Sequence, residues 1–518
     1  MNLRFSKIKK FNYLENAVIF IGLLLLMLLL GVNVIFSTYI TQNAGEIPVI
    51  VRSFFPALLL LTLAAILLYY LFKYMQRMEA NALFIIGFIV DTVLVIYLIF
   101  NVEPQIRADA YSVYEGAIQM MAGDYSALKE GGYFFYYPHQ LGLAMYNSVV
   151  NLISPDITVH FFVNYGMLLL LYWITWKCAV LMFEGEDKTV KMTIVLMFLF
   201  YPALFFVLFL YGHIPGCVCI MGAVTLFIRK EREVGKYNDL GIIILLILAC
   251  TIRNNYMVAA ITIAILYILY AIRKSRVIPI VIAILIITIA STGGLLVKEY
   301  YQNQSEIEIN EGIPKILWIA MGLQDDAPDE YAGGWYNSFT KKAYSQAERN
   351  EEIASELGKA EIKKRIEDFT ADYRYAINFF GEKMISTWTD GTYQSIWSGP
   401  LEDCGQNVNT DILKSIFSGG NLFKGIHIFG RMVTLSIYVG TIAFYVIKLI
   451  MKERLFITHY FPVIYLCGGF LFHLIWETKS QYVWTYVYML IPLAACGWKM
   501  LIEQMIRNKR RTIIYEQT

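Results

Sequence analysis

The sequence predicts an all-α polytopic membrane protein, a bundle of about twelve transmembrane helices with two large polar loops on one side. Of the 518 residues, 58% are hydrophobic and only 16% are charged, and the mean hydropathy is +0.53. A soluble domain of this composition would expose too much apolar surface to water. Apolar runs of about 18 to 20 residues, the length of a helix that crosses a bilayer, recur along the chain.

The positions of Lys and Arg predict the orientation of these helices, because cytoplasmic loops are enriched in basic residues. Basic clusters, from residues 4–10 at one end of the chain to 507–511 at the other, are assigned to the cytoplasm together with both termini. The first apolar run lacks a small-residue cleavage site, so we expect it to be a retained span. The predicted spans lie near residues 15–38, 51–72, 81–101, 158–183, 190–209, 212–228, 238–252, 255–272, 277–298, 427–449, 456–475 and 482–503.

The first large polar loop, residues 102–157, falls outside in this orientation. It contains the charged and aromatic stretch RADAYSVYEGAIQMMAGDYSALKEGGYFFYYPHQLGL. Because one span leaves the cytoplasm before this loop and the next returns to it, the apolar piece at 136–153 is not expected to cross. Its aromatic composition is typical of a helix that lies along the membrane surface.

The second large polar loop, residues 299–425, is also predicted to lie outside. It holds 21 acidic and 12 basic side chains, a net charge of −9, and this acidic bias agrees with the cytoplasmic assignment of the basic clusters. An amphipathic helix is predicted in its middle, because apolar residues recur there at helical spacing. These residues are Ile353, Leu357, Ile362, Ile366 and Phe369.

Several function classes are excluded because their motifs are missing from the sequence. Six of the seven cysteines lie in apolar runs and none forms a matched CxxC pair, so neither a disulfide framework nor a structural zinc site is expected. The chain has no phosphate-binding P-loop, no dinucleotide fingerprint and no hydrolase elbow. Chemistry on soluble nucleotides is not supported, and no nucleic-acid partner is expected.

Asp109 is the first candidate for chemistry, because it follows a predicted span by one or two helical turns. A carboxylate at that depth can reach both a lipid headgroup and a soluble partner, and it can deprotonate a hydroxyl group as a general base. The alternative is an interfacial carboxylate near a helix N-terminus. Glu115, six residues further along, lies on a different helical face and is expected to be a neighbour rather than a second catalytic carboxylate.

Four cations are predicted outside, against the prevailing charge bias: Arg107, Arg253, Lys383 and Lys479. Arg253 and the two asparagines after it interrupt a long apolar run and form an outer turn, and Lys479 occupies a similar turn before the last span. Such cations can hold a lipid phosphate or diphosphate through charge-assisted hydrogen bonds. The alternative is pairing with Glu477 or with the acidic loop.

Three further polar residues have a structural and a functional interpretation. His213, at the start of a span, and His139 could be ligands, but neither has a second ligand at metal spacing, which favours interfacial histidines. Asp91, in the middle of a span, should face the bundle interior, where a polar packing contact is favoured over a proton relay.

Short motifs in both loops resemble the GT-C superfamily of membrane glycosyltransferases, in particular its bacterial protein-mannosyltransferase-like branch, which includes the aminoarabinose transferases. The motifs are RADAYSVYEGA and YPHQLGL in the first loop, MGLQ and GGWYN in the second, and the late turn ETKSQYVWTY. The resemblance covers most of residues 81–503. It implies a core at 81–298, the acidic loop region at 299–425, C-terminal spans with a basic tail at 426–518, and two added N-terminal spans at 1–80.

The resemblance implies that a sugar is moved, with inversion, from a polyprenyl-phosphate donor to an acceptor hydroxyl outside a bacterial plasma membrane. The acceptor would be a glycan, a lipid or a protein. Asp109 matches the general base of the family, and Arg253 and Lys479 fall where its members place cations near the donor phosphate. His213 stands where an acidic residue is frequent, so a divalent metal stays open and no cofactor is assigned. The remaining residues expected to bind substrate are Arg107, Tyr111, Glu115, His139, Asn254 and Tyr482.

Aromatic side chains and competing functions keep more than one interpretation open. Tyr111, Tyr133, Tyr136 and Trp335 can stack on a sugar, but each also fits the aromatic belt of any membrane protein. A transporter or flippase of lipid-linked saccharides would use the same cations, although transporters place ionisable residues near the midplane. A polymerase or ligase of cell-surface polysaccharide would also have a large outer loop. A noncatalytic scaffold would leave the outer cations and Asp109 without a function.

Overall fold

The computed structural model describes residues 2–325 and 332–517, with side chains described for residues 13–325 and 332–508. The described chain is almost entirely helical. The N-terminal unit consists of two long helices joined by a β-hairpin: α1 (Asn2–Ile35), β1 (Phe36–Ile40), β2 (Pro48–Arg52) and α2 (Phe54–Met75). The first loop and its flanking helices are α3 (Ala80–Asn101), α4 (Ala108–Met121), α5 (Tyr133–Tyr136), α6 (Leu141–Asn151) and α7 (Ile157–Met182).

The central bundle continues with seven helices: α8 (Asp187–Leu199), α9 (Pro202–Phe205), α10 (His213–Glu231), α11 (Asn238–Ile252), α12 (Met257–Lys274), α13 (Ile278–Ile289) and α14 (Thr292–Ser305). The second loop region contains α15 (Lys315–Gly322), α16 (Phe339–Gln346), α17 (Glu351–Ala371), α18 (Tyr373–Trp388) and α19 (Asp411–Phe417). The C-terminal part contains α20 (Asn421–Ile450), α21 (Phe461–Ile475), α22 (Trp484–Tyr488) and α23 (Ile491–Gln517).

Nine helical segments in the described part of the chain are long and apolar enough to cross a membrane, so the protein is a multi-pass, all-α membrane protein. They coincide with nine of the twelve predicted spans. The predicted span at 190–209 is a pair of helical pieces bent by 49°, and that at 238–252 is the short helix α11. The predicted span at 482–503 is interrupted between α22 and α23. The total of twelve therefore stays a prediction.

The N-terminal hairpin is an element that the hydropathy pattern did not predict. Its antiparallel register pairs Phe36 with Arg52 and Thr38 with Ile50, and the β-branched residues of these short segments favour strands over helix. The hairpin is joined to the end of α18, because the backbone N–H of Thr38 donates to the carbonyl of Thr389 at 3.2 Å. The N-terminal unit is therefore packed into the body of the protein.

The apolar piece at 136–153 is divided into short elements. It comprises the last residue of α5, a 3₁₀ turn at Pro138–Gln140 and the 11-residue helix α6. Such a helix is about 16 Å long, roughly half the apolar thickness of a bilayer. It packs against α4 and α14, and large apolar side chains are exposed near its C-terminus: Val149, Leu152 and Ile153.

The amphipathic helix predicted in the second loop is present as α17, but its stripe of apolar residues is not its buried face. Ile353 is 53% exposed and Ile366 is 52% exposed. The buried face instead carries Ala354, Gly358 and Arg365. A Cβ atom at position 358 would lie 3.0 Å from a methyl group of α15, so the close packing of α15 on α17 requires a small residue at this position.

The predicted orientation can be tested with the native cysteines. Cys404 is exposed in the second loop, Cys467 is partly buried and the other five are buried. We expect a membrane-impermeant maleimide to label the wild-type chain on intact cells, and we expect the Cys404→Ser variant not to be labelled.

A second variant gives the control for that experiment. In the Cys404→Ser background, Lys236→Cys lies in a predicted cytoplasmic loop and should be labelled only after the membrane is permeabilised. If Cys404 were labelled only after permeabilisation, the second loop would lie in the cytoplasm and the predicted orientation would be wrong.

Candidate functional site

Asp109 lies in the first turn of α4 and is exposed. The hydroxyl of Tyr211 donates to its Oδ2 atom at 3.5 Å. Burial, reinforced by the negative charge of Asp109, raises the pKa of Tyr133 and of Tyr137. The carboxylate thus opens to water beside a group of tyrosines. An exposed carboxylate of this kind is able to accept a proton from a bound hydroxyl group.

Arg253 caps the C-terminus of α11 and lies close to the same tyrosine. Its Nη1 atom donates to the carbonyl of Tyr211 at 2.9 Å and to Nδ1 of His213 at 3.1 Å. The guanidinium lies over the rings of Tyr211 and Tyr482, 4.9 Å and 5.2 Å from their centres. Within residues 13–325 and 332–508, Arg253 forms no salt bridge, so no carboxylate neutralises its charge. Asn254 is exposed in the next turn.

His213 begins α10 and is 2% exposed. Its ring stacks on Phe206 with centroids 5.1 Å apart, and its Nδ1 atom accepts the hydrogen bond from Arg253. It therefore supports Arg253, in agreement with the structural interpretation. No group of three or more His, Cys, Asp or Glu side chains that could hold a metal is found among the described residues.

Lys479 is paired with an unexpected partner. Its Nζ atom lies 2.7 Å from each carboxylate oxygen of Glu46, and the two side chains are 14% and 16% exposed. The expected partners were Glu477 or the acidic loop, but Glu46 belongs to the turn of the N-terminal hairpin. Burial alone would lower the pKa of Lys479, but the charges of Glu46 and Glu477 outweigh it and raise that pKa.

Glu477 is a buried carboxyl in the turn before the last helices, where it is 5% exposed. Burial raises its pKa to about 7, although the positive charge of Lys479 opposes this change. The negative charges of Glu46 and Asp109 also act on it and raise the pKa further. The carboxylates of Glu46 in the hairpin, Asp109 in α4 and Glu477 in this turn therefore lie near enough for their charges to interact. Together with Arg253 and Lys479, this group of side chains is called the recess.

Lys383, the fourth predicted outer cation, is sealed inside the protein at 1% exposure. Its Nζ atom donates to the carbonyl of Trp476 at 2.8 Å and to that of Gly322. Burial lowers its pKa to about 7. Gly334 has φ +76° and approaches so closely that a Cβ atom there would lie 2.5 Å from Cε of Lys383. Lys383 thus joins the end of α15 to the turn after α21, and its ammonium group is not open to a ligand.

Arg107 is also engaged by the protein. Its guanidinium donates to the carbonyls of Trp397 and Gly399 and lies 3.9 Å from the centre of the Trp397 ring. Burial lowers its pKa to about 10. Arg107 therefore fixes the loop at 397–399 against the start of α4.

The loop that follows α18 contains functional candidates that the sequence pattern did not single out. Asp390 is 1% exposed, and its carboxylate accepts hydrogen bonds from the backbone of Thr392 at 2.8 Å and of Gln394 at 2.6 Å. Ser480, next to Lys479, donates to it at 2.8 Å. Tyr393 and Gln394 have φ +49° and +59°, an uncommon pair of left-handed residues. Strain of this kind clusters at functional sites.

The amide of Gln394 donates to Glu46, so this strained loop supports the Lys479 pair. The short polar string TDGTYQS at 389–395 is a turn signal inside an otherwise buried stretch. This string is the sequence signal that indicates a polar loop within the protein.

The remaining residues predicted to bind substrate mostly lie in different surroundings. Tyr111 is 47% exposed, and Glu115 accepts a hydrogen bond from Gln119 at 3.3 Å on its own helix. Trp335, one of the aromatic residues that could either stack on a sugar or belong to the aromatic belt, is 2% exposed. Its indole N–H donates to Ser386 at 3.0 Å, so its ring is not open to a sugar. Tyr136 packs on a ring of α16.

Two predicted residues do border the recess. His139 is open to solvent, and the positive charges of Lys315 and Arg253 act to lower its pKa. Tyr482 is a partly buried ring that contacts Arg253 on one side and stacks on His473, with centroids 5.8 Å apart.

Comparisons of the chain with protein-family models, with characterised proteins and with solved structures find no match. The recess is therefore characterised by the contacts and charges of its own side chains. Asp109 and Arg253 are joined through Tyr211, and Lys479 and Glu477 are near enough for the charge of Asp109 to act on their pKa values. The assignment of these residues to a substrate stays a prediction.

The raised pKa of Glu477 predicts a pH-dependent effect on stability. In the folded protein the Glu477 carboxyl stays neutral up to a higher pH than in the unfolded chain. Its contribution to stability is therefore complete below pH 4.5, the ordinary pKa of a glutamate, and is lost as the pH rises through about 7. We expect Glu477→Gln, which is neutral throughout, to unfold like the wild type at pH 4.5 and to be more stable at pH 8. The upper limit is about 3 kcal/mol. The midpoint of thermal unfolding in detergent measures this difference.

The matched control is Glu402→Gln, because Glu402 is exposed in the same outer region. It should leave the wild-type pH dependence unchanged. A Glu477→Gln chain that differs from the wild type equally at pH 4.5 and pH 8 would contradict the assignment.

Proposed function

We propose that this protein is an inverting glycosyltransferase that moves a sugar from a polyprenyl-phosphate donor to an acceptor hydroxyl group at the outer face of a bacterial plasma membrane. The acceptor would be a glycan, a lipid or a protein, and both termini would lie in the cytoplasm. Asp109 is the proposed general base and Arg253 the proposed ligand of the donor phosphate. The motifs that resemble the GT-C superfamily supply the reaction class.

The link through Tyr211 is the observation that best supports this proposal. Its hydroxyl contacts the carboxylate of Asp109, while its carbonyl and ring contact the guanidinium of Arg253. The proposed base and the proposed phosphate ligand thus contact the same tyrosine, which sets the distance between them. Inversion needs the base and the leaving phosphate on opposite faces of the sugar, and one rigid residue that holds both groups would provide that geometry.

The proposed reaction balances without a further reactant. The acceptor oxygen attacks the anomeric carbon and forms the new glycosidic bond as the bond to the phosphate oxygen breaks. The acceptor proton passes to Asp109, and the lipid phosphate leaves with the bonding electron pair. Arg253 stabilises the negative charge that develops on the leaving oxygen, and a partly dry site strengthens this interaction.

A transporter or flippase of lipid-linked saccharides is the second candidate. It is favoured by Asp91, whose carboxyl is 5% exposed within α3 and faces the bundle interior as predicted. A carboxyl in such a position is frequently functional. The exposed Asp109 favours group transfer, since carriage of a lipid requires no base at the membrane surface.

Removal of the proposed base should abolish transfer and leave the fold intact. We expect Asp109→Asn to lower kcat by about 10²- to 10⁴-fold, the range for loss of a general base. Asp124→Asn is the matched control, because Asp124 is an exposed carboxylate in the same loop that caps a turn. Quantitative mass spectrometry of the modified acceptor, normalised to membrane-inserted protein, measures the effect.

Full transfer by Asp109→Asn would remove this residue from the mechanism. A purified wild-type chain that moves the lipid between leaflets without cleaving a glycosidic bond would instead support the transporter.

Replacement of the proposed phosphate ligand should weaken use of the donor. We expect Arg253→Gln to raise the apparent KM for the donor by about 10- to 100-fold, because a hydrogen bond to a charged group contributes about 1.5–3 kcal/mol. Arg253→Lys should recover part of this loss, since it keeps the charge without the forked geometry. Lys414→Gln, an exposed cation of the outer region, is the control. An unchanged KM in Arg253→Gln would exclude phosphate binding at this position.

A further inference from the structure

We propose that Glu46 is a specificity-determining residue that occupies Lys479 as an internal counter-ion and thereby limits the site to lipid carriers with a single phosphate. This inference rests on the proposed donor class, a lipid-linked phosphate. It assigns a function to the N-terminal hairpin, which lies within the two spans that the resemblance implied to be an addition.

The contact between the two side chains leaves little of the lysine charge for a ligand. Both oxygens of Glu46 lie 2.7 Å from Nζ of Lys479, and both side chains are largely shielded from water. The same ammonium group lies 5.9 Å from the centre of the Tyr336 ring. A pair in such surroundings is held more strongly than an exposed one, because the local dielectric is low.

The position of Glu46 is fixed by the hairpin turn and by the strained loop beside it. Glu46 has φ +56°, and the turn is held by Trp397, whose indole N–H donates to the carbonyl of Asn43 at 2.8 Å. The amide of Gln394 donates to the Glu46 carboxylate. The hairpin turn and the loop after α18 therefore hold one carboxylate against Lys479, as expected of a preorganised site.

The other inner cations decide how much negative charge the site can accept. Lys383 is sealed against backbone carbonyls, whereas Arg253 has no carboxylate partner among the described residues. With Lys479 neutralised by Glu46, one inner cation is left for a ligand. A single phosphate can be matched by Arg253, but a second phosphate would meet the carboxylates of Glu46 and Asp109. Repulsion between like charges in such a recess opposes its binding.

Conversion of Glu46 to glutamine should therefore release a second cation. Glu46→Gln keeps the shape of the side chain and its acceptor for Gln394, but it removes the charge. Lys479 then becomes available for an additional phosphate through a charge-assisted hydrogen bond. We expect the affinity for a diphosphate carrier to rise about tenfold or more relative to that for a monophosphate carrier.

The experiment measures binding of two sugar-free lipids, polyprenyl monophosphate and polyprenyl diphosphate, to the full chain in nanodiscs. The wild type should prefer the monophosphate, and Glu46→Gln should lose or reverse that preference. The double variant Glu46→Gln/Lys479→Gln should recover it, because no released cation is left. Glu402→Gln, an exposed carboxylate of the outer region, controls for a general change in surface charge.

The outcomes separate this inference from the proposed function. Equal binding of both lipids by the wild type, or an unchanged preference in Glu46→Gln, would overturn the role of Glu46 and leave the glycosyltransferase in place. Failure of the wild type to bind either lipid would overturn both proposals.

A second measurement covers the case in which Glu46→Gln does not fold well enough for lipid binding. Lys479 should react slowly with an amine-selective acylating reagent in the wild type, because Glu46 keeps it charged and shielded. It should react several-fold faster in the milder variant Gln394→Ala, which removes only the support of Glu46. An unchanged rate there, read by peptide mass spectrometry against exposed Lys359, would show that Lys479 is not held by this carboxylate and would overturn the proposal.

Discussion

The ion pair between Glu46 and Lys479 is the contact on which the arrangement of the site depends, because it joins chain segments 433 positions apart. Charged groups lose hydration when they are buried, so a pair at this depth persists only if its geometry is well supported. Here the support comes from the hairpin turn, from Gln394 and from the turn before the last helices. Asp390 connects the same parts, since it accepts hydrogen bonds from its own loop and from Ser480 beside the lysine.

The fold class was predictable because long apolar helices carry a strong local signal, and nine of the twelve predicted spans match helices long enough to cross a membrane. Features that depend on distant contacts were not predictable. The hairpin is short, and its partners at Thr389, Gln394 and Lys479 are distant in the chain. The buried face of α17 follows from the close approach of α15 at Gly358. Helical periodicity identifies a stripe of apolar residues, but it does not show which face a neighbour will cover.

The residue types of the candidate site could be selected from the sequence, while its side of the membrane stays a prediction. Asp109 and Arg253 were selected because charged side chains beside apolar spans are uncommon unless they have a structural or functional role. Both contact Tyr211 in the structure. Lys383 satisfied the same criterion but is sealed against two carbonyl groups. The sequence alone does not distinguish Arg253 from Lys383, because the difference lies in which groups each cation contacts in the folded protein. Glu46 was missed because nothing near it in the chain marks its hairpin as part of the recess.

The balance of charge in the recess connects the fold with the proposed chemistry. A site that only had to bind an anion would gather unpaired cations, but this one places carboxylates from three parts of the chain beside them. Burial raises the pKa of Glu477, and the negative charges of Glu46 and Asp109 raise it further. One open guanidinium, Arg253, beside one exposed base, Asp109, suits a reaction in which a single phosphate leaves and a single proton is taken up. The ion pair of Glu46 and Lys479 keeps the rest of the recess close to neutral. Under the proposed mechanism, a ligand with additional negative charge would therefore bind less well.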